Sequence, residues 1–127
     1  MEIEFILKEY NIINLTPHQV VIVLGSKRYE FPSMGFARII YKTIDSNNIK
    51  AKGKAWLPIR QIEAESVMGL LPQRENVLYI VSHRMLLQVP NRQDLIAPDV
   101  ETSVKQGQSI SVTGFVTYYD VFSKEKK

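Results

Sequence analysis

The chain contains no cysteine. That absence excludes disulfides, thiolate metal ligands and a cysteine nucleophile, and it suits a reducing compartment such as the cytoplasm. Long hydrophobic runs are missing as well. The longest, Val20 to Leu24, is far too short to cross a bilayer, so no membrane association is expected. The first ten residues, "MEIEFILKEY", place Glu2 and Glu4 where a secretory signal needs positive charge, and no small-residue cleavage site follows. A cytoplasmic location is therefore expected. Concentrated positive charge is also lacking: of the formal net charge of +3, most falls in the tail "SKEKK", where three lysines face one glutamate. The remaining basic residues are scattered, which argues against a nucleic-acid-binding face.

What is present points to one folded unit. With 127 residues, 45% hydrophobic and 23% charged, the chain is long enough for one core and too apolar for disorder. Residues 1–127 are read as a single domain, with 1–10 as an N-terminal extension and 123–127 as a flexible basic tail. Strand signals dominate. "QVVIVL" is β-branched and lies between Pro17 and Gly25, and "GSKRYEF" follows as the return arm of a hairpin. "FARIIYKTI" alternates apolar and polar residues, whereas "DSNNIKAKGK", Asp45 to Lys54, reads as an exposed loop. Pro58 demotes the start of "AWLPIRQIEAESVMGLLP", which reads as an extended segment.

"ENVLYIVS" is apolar without alternation from Val77 to Val81, as expected of a strand covered on both faces. Ser82 suits a helix N-cap, and "HRMLLQV" fits about two helical turns stopped by Pro90. "NRQDLIAPDVETSVKQGQ" reads as a long polar connection. "SISVTGFVTYYDVF" reads as a closing strand with a bulge or bend at Gly114. The expected fold class is α+β: a compact, strand-rich single domain with one short helix after its most buried strand, and no doubly wound βαβ alternation.

Three polar clusters carry chemistry. In the first, Asn14-Leu15-Thr16-Pro17-His18, Pro17 pushes Thr16 towards extended backbone, and Asn14 and Thr16 can bond nearby backbone groups. A tight structural corner accounts for all but His18, which could pack, donate to a ligand or act as a base. In the second, Tyr79 to Arg84, the helix start directs free N–H groups and a partial positive charge at whatever lies above the strand, with His83 or Arg84 adding charge. A capped helix with a solvated Arg84 explains it equally. In the third, Arg92 can grip a phosphate or carboxylate in two-pronged fashion, or can lock onto Asp94 or Asp99 and staple the loop. No catalytic set and no metal-ligand spacing emerges, and no cofactor is implied.

Together these clusters resemble a group of small proteins from bacteriophages and bacterial genomes. In that group an N-L-T-P-H corner ("INLTPH" here), a Y-I/V-V-S strand end ("YIVS") and an R-x-D-L-x-x-P segment ("RQDLIAPD") recur in that order. The resemblance runs from Ile12 to Asp99 and more loosely through the closing strand; residues 1–10 lie outside it. Gln19-Val20 after the histidine and Val89-Pro90-Asn91 before Arg92 leave the polar residues of the motifs in place. The resemblance implies a phage-related origin, with one shared site as the simplest account of several polar corners.

The expected function is a cytoplasmic, non-catalytic ligand-binding protein for a small anionic molecule, such as a nucleotide-derived host defence signal that it would sequester. The expected binding residues are Asn14, Thr16, His18, Ser82, His83, Arg84, Arg92 and Asp94. Two alternatives stand beside it: an accessory protein that binds a partner through an exposed strand edge, and a small nucleotide hydrolase or lyase with His18 or His83 as base. Exposed edges also make a homo-oligomer an expectation.

Overall fold

The strand β6 (Val77–Ile80) and the residue after it divide the protein's interior in two. Successive side chains of a strand point to opposite faces, so Leu78 and Ile80 enter one core while Tyr79 and Val81 enter another. All four are buried, and each aliphatic side chain so removed from water contributes roughly 1.5–3 kcal/mol. Both faces of this strand are covered, as its unbroken apolar sequence predicts.

The computed structural model describes residues 7–50, 56–99, 104–107 and 109–118. β6 pairs in parallel with β1 (Asn11–Asn14) and with β7 (Leu95–Pro98), and β10 (Phe115–Val116) adds an antiparallel edge to β7. A second sheet has the order β3-β2-β9-β8, built from β2 (Gln19–Leu24), β3 (Lys27–Phe31), β8 (Val104–Gln106) and β9 (Ser109–Val112). Its inward side chains Val20, Ile22, Phe31 and Val112 meet Leu78, Ile80 and Ile96 of the first sheet. Gly25, at φ +62°, opens the two-residue link from β2 to β3, where a type II′ hairpin wants a glycine first.

The other face of the first sheet is covered by the helix α1 (His83–Gln88). The hydroxyl of its N-cap, Ser82, accepts from the Met85 N–H, and Met85 and Leu86 are buried against Leu15, Tyr79, Val81, Leu95 and Ala97. The helix ends before Pro90, as its sequence predicts. Beside it stands a ribbon of β4 (Arg38–Lys50) and β5 (Trp56–Met68), whose base residues Ile39 and Val67 pack on the same core. Farther out, Tyr41, Ile44, Ile59 and Ile62 are exposed.

Several expectations need correction. Asp45–Lys50 is strand, not loop: it pairs with Trp56–Gln61 in a two-stranded ribbon, and its polar, turn-rich composition cannot separate such a ribbon from a loop. Residues 51–54 lie outside the described residues. The connection after Arg92 holds β7 and β8, and β6–α1–β7 is a parallel βαβ unit where none was expected. The closing strand is broken near Gly114 into β9 and β10, which belong to different sheets; residues 119–122 fall outside the described residues, as does the tail at 123–127. In the N-terminal extension, residues 7–9 form a helical turn, and Leu7 and Tyr10 pack on the inter-sheet core.

The chain leaves the ribbon through Gly69, at φ +80°, and a Cβ built there would collide with the Phe36 carbonyl oxygen. Gly25 also has positive φ but faces open space. Gly25→Ala is expected to cost about 1–2 kcal/mol through backbone strain alone. Gly69→Ala adds a backbone collision and is expected to cost about 3 kcal/mol or more. Urea unfolding of the two variants checks the order; equal losses would refute the tight ribbon base.

Candidate functional site

The corner between β1 and β2 is organised by one side chain. Asn14 is almost wholly buried, at 1% exposure, and its carboxamide makes four hydrogen bonds. Nδ2 donates to the carbonyls of His18 (2.7 Å) and Phe31 (2.9 Å), while Oδ1 accepts from the Thr16 N–H (2.9 Å) and the Thr16 hydroxyl (2.7 Å). Those bonds use both amide hydrogens and both oxygen lone pairs. The Thr16 Oγ1 also lies 3.0 Å from the His18 carbonyl. Around this turn the backbone of Leu15 bonds Ile80 and Ala37, and Ser33 donates to the Thr16 carbonyl. Asn14 is therefore a brace, not the ligand donor expected of it.

β1, β6 and β7 run parallel, so their C-terminal ends lie along one edge of the sheet. From β1 the chain turns through the corner into the second sheet; from β6 it turns into α1, on the opposite face. Neighbouring parallel strands whose connections leave to opposite faces open a crevice at their carboxyl ends. Such a crevice is present, with a volume of about 240 Å³, lined by Thr16, Pro17 and His18 of the corner, Val81, Ser82 and His83 after β6, Pro98 of β7 and Ile110 of β9. Four of the expected site residues, Thr16, His18, Ser82 and His83, thus converge from the two halves of the chain.

Among the described residues, the lining contains no side chain of fixed charge. His18 is half-buried, and its Nδ1 is shielded from solvent without a hydrogen-bond partner. The tautomer with its proton on Nε2 avoids a buried N–H without an acceptor, and leaves an Nε2–H donor for a ligand. The Ser82 oxygen accepts from the Met85 N–H at 3.2 Å, which leaves its own hydrogen free to donate. The exposed His83 ring meets Tyr118 edge to face, with centroids 5.8 Å apart. Among the described residues no group of three or more His, Cys, Asp or Glu side chains comes together that could hold a metal ion.

The remaining expected residues stand apart from this lining. Arg92 makes a two-pronged pair with Asp94 (2.8 and 2.7 Å), donates to the Leu71 carbonyl and lies over the Tyr79 ring. The hydrogen bond to Asp94 holds the Arg92 guanidinium above its ordinary range, against the opposing effect of burial. This is the loop staple: Arg92 is spent on Asp94 and not on a phosphate, and Asp94, expected as a ligand-binding residue, is spent on Arg92. Arg84 points to the Tyr41 hydroxyl at 3.3 Å on the exposed side of the helix. Sequence reading missed Pro17, Val81, Pro98 and Ile110 as lining and Tyr118 as the partner of His83. The available signal was positional, since Val81 and Pro98 close apolar strands that run in the same direction.

Comparison of the chain with protein-family models, with curated proteins and with solved structures finds no match.

Asn14→Ala would strip partners from two carbonyls and one N–H at once, and a loss of about 3 kcal/mol or more is expected in urea unfolding. A loss below about 1 kcal/mol would show that the corner stands without it. Arg92→Ala leaves Asp94, whose side chain is 5% exposed, as a buried unpaired charge and is expected to cost about 3–5 kcal/mol. The double variant Arg92→Met with Asp94→Leu is expected to recover most of that. A staple gives recovery; a simple loss of side-chain packing does not.

Proposed function

We propose that this chain is a small-molecule-binding protein that holds its ligand in the crevice at the carboxyl ends of β1, β6 and β7 without turning it over. The observation that carries the reading is the convergence of Thr16, His18, Ser82 and His83 on one hollow. An apolar wall with a few converging polar groups is the usual composition of a ligand site. The hydroxyl of Thr16 and the oxygen of Ser82 already hold the corner and the helix cap, so these groups support recognition more readily than chemistry. In keeping with the resemblance to small phage and bacterial proteins, the ligand is a nucleotide-derived host defence signal and the role is sequestration in the host cytoplasm. A binder without turnover lowers the free concentration of its ligand in proportion to its own abundance.

A second reading is favoured by the β4–β5 ribbon. Among the described residues its two strands pair only with each other, and Tyr41, Ile44, Ile59 and Ile62 are exposed along it. An isolated two-stranded hairpin is marginally stable in water. A protein partner, or a second copy of the chain, laid along this ribbon would cover it, and the protein would then be an accessory interaction factor.

The full chain, purified from its host and denatured, is expected to release a small molecule detectable by mass spectrometry. Adding a nucleotide or cyclic dinucleotide that fits, at about 100 times its Kd, is expected to stabilise the fold by about 2.7 kcal/mol and raise Tm by on the order of 10 °C. His18→Leu is expected to abolish that shift while the unliganded Tm holds. If no member of the panel shifts Tm, while Ile44→Lys with Ile62→Lys dissociates an oligomer or releases a protein partner, the interaction reading replaces this one. Consumption of the ligand over time, lost in His83→Ala, would make the protein an enzyme.

A further inference from the structure

We infer that the crevice receives an uncharged, planar, single six-membered heteroaromatic ring, and that the ligand enters ring first with any charged portion left outside. This rests on the binding reading above and specifies its ligand.

Size sets the first limit. A buried cavity of about 150 Å³ accepts benzene, and sites for drug-sized molecules begin at about 300 Å³. The crevice, at about 240 Å³, lies between the two. That space matches one ring with a small substituent, and the rest of a nucleotide would extend out of it.

Charge sets the second. Among the described residues, none of the eight that line it carries a fixed charge, and half of them (Pro17, Val81, Pro98 and Ile110) are apolar. An anion drawn between such walls loses its hydration and gains no counter-ion. The guanidiniums that could have met it are directed elsewhere: Arg92 to Asp94 and the Leu71 carbonyl, Arg84 to the Tyr41 hydroxyl.

Shape and polarity set the third. Two proline rings among the walls supply stiff, flat surfaces. Beside them His83 and Tyr118 form an edge-to-face pair with an interplanar angle of 64°. Tyr118 is 56% exposed, which leaves aromatic surface against which another flat ring can stack. The polar handles are two donors, the Ser82 hydroxyl and the His18 Nε2–H. They match a ring that carries a carbonyl or ring nitrogen along one edge, as pyrimidine bases and pyridine carboxamides do. The Asn14 carboxamide and the Thr16 hydroxyl are already bonded to the corner and take no part.

The test uses ¹H–¹⁵N NMR titration of the full chain with single probes. Cytosine, uracil and nicotinamide represent the proposed class. Benzamide against cyclohexanecarboxamide isolates planarity, benzamide against benzoate isolates charge, and inorganic phosphate stands for the anion alone. At least one heteroaromatic probe is expected to shift the amides of residues 16–18 and 81–83 and to bind tenfold or more tighter than cyclohexanecarboxamide. Benzamide is expected to bind better than benzoate, and phosphate neither to shift those amides nor to compete. The nucleoside and the nucleoside 5′-phosphate of the best ring are then compared with the free base. Affinities within about threefold of each other show that the ring carries recognition. Tyr118→Ala, at an exposed position, is expected to weaken ring binding fivefold or more with Tm unchanged.

If phosphate or benzoate binds the same amides as tightly as any ring, or the saturated amide equals the flat one, the ring-first proposal is overturned while ligand binding at the crevice stands. If none of the probes, and no nucleotide, perturbs those amides, both fall together.

Discussion

The arrangement at the strand ends hangs on the saturated hydrogen bonding of one buried amide. Asn14 ties the end of β1 to the start of β2 and to the end of β3, through the carbonyls of His18 and Phe31. In doing so it fixes where the chain passes from one sheet to the other. A buried amide whose donors and acceptors are all matched specifies a single geometry, since any shift leaves a polar group without water or partner. Pro17 and His18 sit inside the loop that this amide closes, so their placement over the crevice follows from a bond network that has no direct part in binding. The exchange of partners is local on one side (Thr16) and distant on the other (Phe31). That mixture anchors the corner to the second sheet as well as to itself.

From that fixed point the crevice follows from topology. β6 is covered on both faces, and the chain beyond it turns away from the inter-sheet core, towards the layer of α1. The chain beyond β1 turns into the second sheet. With the two exits diverging to opposite faces, a crevice opens at the strand ends. Pro98, ending β7, and Ile110, on β9, wall off the remaining sides. The same βαβ unit whose helix covers one core therefore leaves a hollow at its upstream end, and the short helix places His83 at the rim.

Sequence reading reached the parts of this that local chemistry determines. The hairpin at Gly25, the strand Val77–Ile80, the Ser82 cap and the stop at Pro90 are each set by residues within a few positions of one another. The grouping of His18 with Ser82 and His83 was read from motif order alone, and the structure gives it a spatial basis. What could not be read was pairing across the chain. Leu95–Pro98 is short and sits in a polar stretch, so its role as a buried parallel neighbour of β6 depends on a contact with Tyr79 and Ile80 that no local pattern announces. The outer part of the ribbon was misread because its residues satisfy strand and loop equally. Arg92 was ambiguous because a guanidinium that grips phosphate and one that grips Asp94 have the same sequence signature; only the position of the partner decides.

That last ambiguity bears on how the molecule divides its polar groups. The Arg92–Asp94 pair fastens the loop before β7 to the segment after β5, and Tyr79 reinforces the join by donating its hydroxyl to the Pro72 carbonyl. Charge is used there, where a strong directional bond must hold two long connections together under cover of an aromatic ring. At the crevice the order is reversed, and among the described residues the groups left to donate are the Ser82 hydroxyl and the His18 ring. On the proposed reading, a ligand held there would gain little from attraction at a distance and much from fit, through apolar contact and donors already held in place. Selectivity should then lie in the outline and edge of the ligand, with charge contributing least. The structural reason is the same that set the corner: the hydrogen bonds that make the hollow leave few polar groups free inside it.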